Sequence, residues 1–405
     1  MSAVLQEWLN VVVRWAHVLA AIMWIGDSFL FMWLDSHLTA PTRKRDGDVV
    51  GELWMTHSGG FYEMVKRKTL AKDELPSTIH WFKWESYSTW ITGFLLLIIV
   101  YYAGGRAMLV EASSTLSHEQ AIAISLGCLA AAVAVYDLLC RTPLVKDNKV
   151  FGVIGLLLIT AVSWGLLQIF SPRAVFLQVG AMLGTIMASN VFFRIIPSQR
   201  HMLAATAAGE PVDPSYGYRA KARSVHNHYL TLPVLFTMLS NHFSALYAHP
   251  QAWGVLALMI IAGVGVKYFM NFRTRTHPVI AVGTLLSCAA VAFLTMPAPA
   301  APSTTSAAGE QVPWSTVQLI LEARCTSCHA KQPTNPGFAA PPVGMMLEDP
   351  RDVVAVKDRI LIRAVEQKTM PLGNLTGMTD EERATLGRWI AQGAHIPASS
   401  AASKP

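Results

Sequence analysis

The chain has 405 residues, of which 52% are hydrophobic and only 14% charged, and its formal net charge is +6. Soluble domains carry about a quarter charged residues, so this composition excludes an ordinary soluble enzyme and points to a chain that lies largely in a bilayer. The positive excess falls in alternate connections between apolar segments, which makes it a record of membrane topology and removes nucleic acid as a partner.

Crossing a hydrocarbon core of about 30 Å takes about twenty apolar residues at 1.5 Å each. Segments of that kind occur at 11–34, 78–103, 121–140, 150–170, 174–196, 229–247, 253–272 and 278–296, which predicts an all-α bundle of about eight transmembrane helices. The first lacks a basic leader and a small-residue cleavage site and carries Arg14, His17 and Asp27, so it reads as a retained helix rather than a signal peptide. Arg43, Lys44, Arg45, Lys66, Arg67, Lys68 and Lys72 follow it, and Arg141, Lys146 and Lys149 follow the third segment. Arg200, Arg219, Lys221 and Arg223 come after the fifth, and Arg273 and Arg275 after the seventh. The intervening connections hold Arg106, Arg173 and little else. The positive-inside rule then places the odd-numbered connections in the cytoplasm, with the N-terminus and everything after Met296 outside.

Residues 298–311 are rich in Pro, Ala and Ser and lack the bulk to pack, so they read as a linker between a bundle at 1–297 and a second domain at 312–396, with a tail at 397–405. Within that domain a helical pattern leads into Cys325-Thr-Ser-Cys328-His329, and Thr379-Asp-Glu-Glu382 is a capping box that opens a final helix with Leu386, Trp389 and Ile390 on one face. Each position of Cys-x-x-Cys-His has a task in holding haem c: two thiols form thioethers to the vinyl groups, and the imidazole becomes an iron ligand. Thr369-Met370-Pro371 before the capped helix resembles the Met-Pro ligand loop of class I cytochromes c, and that resemblance implies Met370 as the second iron ligand, with Met345, Met346 and Met378 as rivals. Pro341 or Pro342 is the expected carbonyl partner of the His329 ring. The domain resembles class I cytochromes c over 312–394. Cys128, Cys140 and Cys288 lie in membrane segments and read as structural thiols.

Ionisable groups inside a bilayer are costly and mark function unless they pair within the bundle. Arg14, His17, Trp24 and Asp27 share one face of the first helix. Near the cytoplasmic ends lie His80 and Glu85 in the second segment, Asn190 and Arg194 in the fifth, and His226 and His228 before the sixth. This inner layer suits an anion site, with Arg194 as clamp, Asn190 as hydrogen-bond partner and Asp27, Glu85 or a histidine as proton acceptor. In the outer layer His17 and His242 are candidate ligands for a second haem, of b type.

The whole arrangement resembles the bacterial membrane-bound urate hydroxylases of the PuuD type, through Arg14-Trp-Ala-His17, Trp24-Ile-Gly-Asp27, Trp54-Met-Thr-His57-Ser-Gly-Gly60-Phe-Tyr62, and the terminal Cys325–His329 and Met370 pattern. A Ser stands at 58 where that family pattern has Gly. The resemblance implies an inner-membrane oxidoreductase that converts urate to 5-hydroxyisourate and passes electrons through haem c to a respiratory acceptor. The rival readings are a quinol-oxidising electron-transfer subunit without urate chemistry, and a transporter with a redox-sensing domain.

Overall fold

A computed structural model describes residues 3–111, 114–271, 277–296, 311–335, 338 and 340–397. Arg273, Arg275, nearly all of the 298–311 linker and the tail beyond Pro397 lie outside the described residues. The chain is mostly helical. Helix α1 (Ala3–His37) is followed by strands β1 (Val49–His57) and β2 (Gly60–Arg67), then α2 (Trp84–Leu96), whose axis continues through a π turn at Leu97–Tyr102. Next come α3 (His118–Leu139), α4 (Asn148–Leu166), α5 (Pro172–Ala208, with a π turn at Val191–Ile195), α6 (Pro214–Leu239), α7 (Ala252–Asn271) and α8 (Pro278–Thr295). Six of these, α1, α3, α4, α5, α7 and α8, are long and apolar enough to cross a membrane.

Local sequence sets the helix starts. Ser117 and Gln120 form a reciprocal capping box at α3, the Asp147 side chain accepts from the Lys149 and Val150 amides at α4, and Ser171 and Asp213 precede Pro172 and Pro214 at α5 and α6. The second segment is helical only from Trp84, so His80 lies before the helix and Glu85 in its first turn. The fifth runs on to Ala208 because the π turn just before Pro197 absorbs the missing N–H and ring clash of that proline. The sixth starts earlier and ends earlier than its apolar run, at Leu239, which leaves Asn241 and His242 in the turn Ser240–His242.

Helix α5 is the enclosed centre of the bundle, with Val175, Phe176, Val179 and Leu183 buried against Leu256 and Ile260 of α7 and against Leu109 and Val110. Helices α1 and α8 turn large apolar side chains outward, Trp15 at 68% and Phe293 at 77% exposure among them, as lipid-facing helices do. Small residues allow close helix approach: a Cβ on Gly180 would lie 2.2 Å from the Thr237 hydroxyl, and one on Gly265 would lie 1.9 Å from that of Thr284.

The expectation of an all-α chain needs one correction. Val49–Arg67 is an antiparallel hairpin, with Trp54 opposite Glu63 and His57 opposite Gly60. Its β-branched and aromatic residues favour strand, and Ser58 and Gly59, at φ 51° and 77°, form the positive-φ pair that a tight two-residue hairpin turn requires. The hairpin is anchored by Glu52, which is fully buried and accepts from the Thr42 hydroxyl at 2.7 Å, the Thr42 amide at 2.8 Å and Arg45 Nε at 3.0 Å. These bonds, the Thr42 hydroxyl foremost, hold the Glu52 carboxyl down from 4.5 to about 2. A lowered folded-state value means that the stabilisation is present above about 4.5 and is lost as pH falls toward about 2. Hydrogen exchange of the β1 and β2 amides, corrected for intrinsic rates, should therefore show protection fading in that window. In Glu52→Gln the acid-dependent step should be absent; a wild-type protection flat across the window would contradict it.

The C-terminal residues form a separate small core. Helix α9 (Trp314–Arg324) places Val317, Ile320 and Leu321 against Leu386, Trp389 and Ile390 of α10 (Asp380–Ala391), and the Trp314 and Trp389 rings lie 5.6 Å apart. The capping box of α10 is present: the Thr379 amide donates to Glu382 Oε2 at 2.7 Å, and the Glu382 amide donates to the Thr379 hydroxyl at 3.2 Å.

Candidate functional site

Helix α9 ends at Arg324, and the chain turns through Cys325 into the one-turn helix Thr326–His329. Arg324 fixes this corner by donating from Nε to both Glu382 oxygens, at 3.0 and 3.1 Å, while the Thr376 hydroxyl donates to its carbonyl at 2.9 Å. Cys325 and Cys328 are half-buried free thiols. Burial pushes the Cys325 thiol up to about 12, the opposite of the lowered value of a disulfide-exchange Cys-x-x-Cys. His329 Nδ1 donates to the Met345 carbonyl at 3.0 Å, and the His329 carbonyl accepts from the Leu347 amide at 2.8 Å. The carbonyl partner is thus Met345, not Pro341 or Pro342, because the turn Pro342–Gly344 carries the chain past the ring before a carbonyl faces it. With Nδ1 occupied, Nε2 is the nitrogen left to bind a metal.

Met370 stands on a fixed backbone: its amide donates to the Arg363 carbonyl at 3.0 Å, and its carbonyl accepts from Arg383 at 2.6 Å. Its side chain is 37% exposed. Among its rivals, Met378 is only 3% exposed and belongs to the core, and Met345 packs against that core, whereas Met346 is open. Val343, Met346, Met370 and Leu375 leave apolar surface uncovered on the loops that carry the His329 partner and Met370. Two thiols, an oriented imidazole with a free Nε2, an open thioether and uncovered apolar surface are a donor set that fits haem c.

The inner polar layer separates into two groups. In the first, Asp137 at the end of α3 gathers three guanidiniums. Arg194 closes on it in bidentate fashion, Nε to Oδ1 at 2.9 Å and Nη2 to Oδ2 at 2.5 Å; Arg223 donates to Oδ1 at 2.8 Å, and Arg141 to Oδ2 at 2.7 Å. Asn190 donates to the Tyr136 hydroxyl and to Asn227, both at 2.9 Å, and accepts from Arg223 at 3.2 Å. His226 is bonded through Nδ1 to the Tyr136 hydroxyl at 2.7 Å and stacks on Phe151 at 4.7 Å. Arg194, expected as an open clamp, therefore already has its fork closed on a carboxylate. The group still holds three arginines against one aspartate, a positive surplus at this end of the bundle.

The second group lies around α1. Asp27 is within charge–charge range of Glu85 on α2, and Glu85 Oε2 is buried without a hydrogen-bond partner. On another side of α1, Lys267 of α7 sets its ammonium 3.5 Å from the centre of the Phe29 ring, and His228 of α6 lies within charge range of Lys267 and Asp35. His228 Nδ1 is buried and unbonded. His80 is exposed ahead of α2.

In the outer layer His17 Nδ1 donates to the Thr89 carbonyl at 3.0 Å, and its ring fills the notch at Gly93, where a Cβ would lie 2.9 Å from it. His242 is exposed in its outer turn, and no contact among the described residues joins it to His17. The C-terminal unit meets the bundle here. The turn Leu372–Asn374, just after Met370, rests on the one-turn helix Arg106–Leu109, so closely that a Cβ on Gly373 would lie 2.8 Å from that of Ala107. Arg363 Nη1 also donates to the Tyr247 hydroxyl at 3.4 Å. Both contacts fall in connections that the charge pattern places outside.

Sequence reasoning passed over Tyr136, Asp137 and Lys267 and read Arg223 only as a topology marker. A signal was present for two of them: an aspartate ends the third apolar run, and a lone lysine interrupts the seventh. Among the described residues, no group of three or more His, Cys, Asp or Glu side chains gathers in a metal-binding arrangement.

Residues 3–298 match the sequence model of the urate oxidase N-terminal family. The chain belongs to this family. The match covers the whole bundle, whereas the Cys325–His329 corner lies beyond it. No curated protein and no solved structure matches the chain.

Proposed function

We propose that the chain is an inner-membrane urate oxidoreductase of eight crossings that converts urate to 5-hydroxyisourate and delivers the electrons outward through a haem c. The observation that carries this reading is the family match over the bundle joined, in one chain, to a docked unit whose Cys325, Cys328, His329 and Met370 suit haem c. Two further crossings are α2 with its π extension to Tyr102, and α6, which packs between α5 and α7. The basic connections support an inner end in the cytoplasm and a periplasmic C-terminal unit.

The reaction balances as urate plus water giving 5-hydroxyisourate, two protons and two electrons. The surplus of arginines around Asp137 draws the urate anion to the inner face. Glu85 and His228, each with an unbonded buried atom, are placed to accept protons. A haem c held by Cys325 and Cys328, with His329 and Met370 as its protein ligands, would supply one-electron redox chemistry. His329 holds its side of that site through the Met345 carbonyl, and Met370 presents a thioether from a backbone pinned by Arg363 and Arg383. A respiratory cytochrome or terminal oxidase is the acceptor.

The test is anaerobic addition of urate to purified protein while the reduced haem band is followed, then the same in right-side-out and inverted vesicles. Urate should reduce the haem, faster where the inner face is exposed. No reduction by urate would leave a quinol-oxidising electron-transfer subunit as the reading. Met370→Ala should retain covalent haem, lose the sulfur–iron charge-transfer band of the oxidised form, and have a lower midpoint potential. Persistence of that band would move the ligand to Met346, the other open methionine.

A further inference from the structure

Lys267 is anomalous among the charged residues of the bundle. It sits one turn from the inner end of α7, close enough for its chain to snorkel toward the interface. It does not do so: the residue is 1% exposed, and its ammonium is turned inward over Phe29 of α1 at 3.5 Å. No carboxylate forms an ion pair with it among the described residues, in contrast to Arg194 and Arg223, which share Asp137. An ammonium taken out of water needs a counter-charge, and an aromatic face offsets only part of that loss. Beside it, His228 on α6 keeps Nδ1 buried and unbonded. Three helices thus bring a cation without an ion-pair partner within charge range of an imidazole whose buried Nδ1 is unbonded.

We propose that Lys267, with His228 beside it, is the binding site for the substrate anion inside the bundle, and that this anion is a planar purine monoanion, urate. The site rests on the proposed function for the identity of the anion. The ammonium supplies the counter-charge, and the His228 ring nitrogen supplies a directional hydrogen bond to a ring nitrogen or carbonyl oxygen. The arginines on Asp137 act earlier, as an electrostatic funnel at the inner mouth. His228 also lies within charge range of Asp35 at the end of α1, a carboxylate that is itself paired with Lys66.

The experiment uses the full-length holoprotein in detergent, with its haem pre-reduced so that no turnover occurs, and measures binding of radiolabelled urate by equilibrium dialysis. Lys267→Met is isosteric, removes a buried charge from an apolar helix and should fold at least as well as wild type. It should weaken urate binding by at least about 30-fold, the loss expected when one member of a buried charge pair is removed, and raise KM in step with unchanged haem content. Lys267→Arg should recover most of the affinity, and His228→Phe should lose about tenfold. If Lys267→Met alters folding, Lys267→Gln takes its place, with haem content and thermal stability as controls. Wild-type haem that urate reduces, together with a Lys267→Met variant of unchanged affinity, overturns the Lys267 site alone. Wild-type haem that urate fails to reduce overturns the proposed function itself.

Discussion

Replacing both Cys325 and Cys328 by alanine should abolish haem staining on a denaturing gel while the bundle still inserts into the membrane. Each single replacement should weaken the stain, since one thioether cannot do the work of two. The bundle is spared because its core, built on Val175, Phe176, Val179 and Leu183, shares no residue with the core of the C-terminal unit. That small unit should suffer. Its apolar core rests on few large side chains, among them Trp389, Leu386 and Leu321, and Val343 and Leu375 are exposed apolar surface that the proposed haem would cover. Proteolysis of the double mutant should accordingly release the region after α8 and leave the bundle intact. Undiminished staining in the double mutant would remove the covalent haem from the proposed function.

The second large effect is expected at Asp137. Asp137→Asn keeps the shape of the side chain and removes the charge that three arginines share. The side chains of Arg223 and Asp137 are 11% and 18% exposed, so Arg223 would be left as a nearly buried cation without a counter-charge, at a cost of about 3 kcal/mol. Arg141, at 65% exposure, contributes less than about 1 kcal/mol. Thermal unfolding in detergent should show a clear drop for Asp137→Asn, little change for Arg141→Ala, and partial recovery when Arg223→Met is combined with Asp137→Asn. Full additivity in that cycle would show that the arginine is held by something other than the aspartate.

Much of the fold was legible because a bilayer simplifies the code. Apolar length and the sorting of Lys and Arg are strong signals, and the regions of 11–34, 121–140, 150–170 and 278–296 correspond to α1, α3, α4 and α8. The hairpin at Val49–Arg67 was hidden because its alternation is short, its outward face includes Trp54 and Phe61, and the surrounding basic residues dominate the reading of that connection. The Cys325–His329 corner was legible because chemistry fixes its spacing, whereas the carbonyl that orients His329 depends on how the 341–347 loop turns, and spacing does not encode that. The polar layers were legible as a set of residues and illegible as pairings. Asn190 and His226 proved to bond to Tyr136 and Arg194 to Asp137, and His228 faces a different helix from its near neighbour His226. On a helix, two residues apart means nearly opposite faces.

The contact of Gly373 with Ala107 is small, a single turn against a single turn, with the Arg363–Tyr247 hydrogen bond beside it. Between separate molecules such a patch would bind weakly, since stable interfaces bury far more surface. Here both halves belong to one chain, so each surface stays close to the other. Confinement of that kind gives a local concentration in the millimolar range, so even a millimolar-grade patch is occupied for much of the time and yet released quickly. Under the proposed function, the Met370 edge is therefore held against the bundle by covalent connection rather than by a large interface.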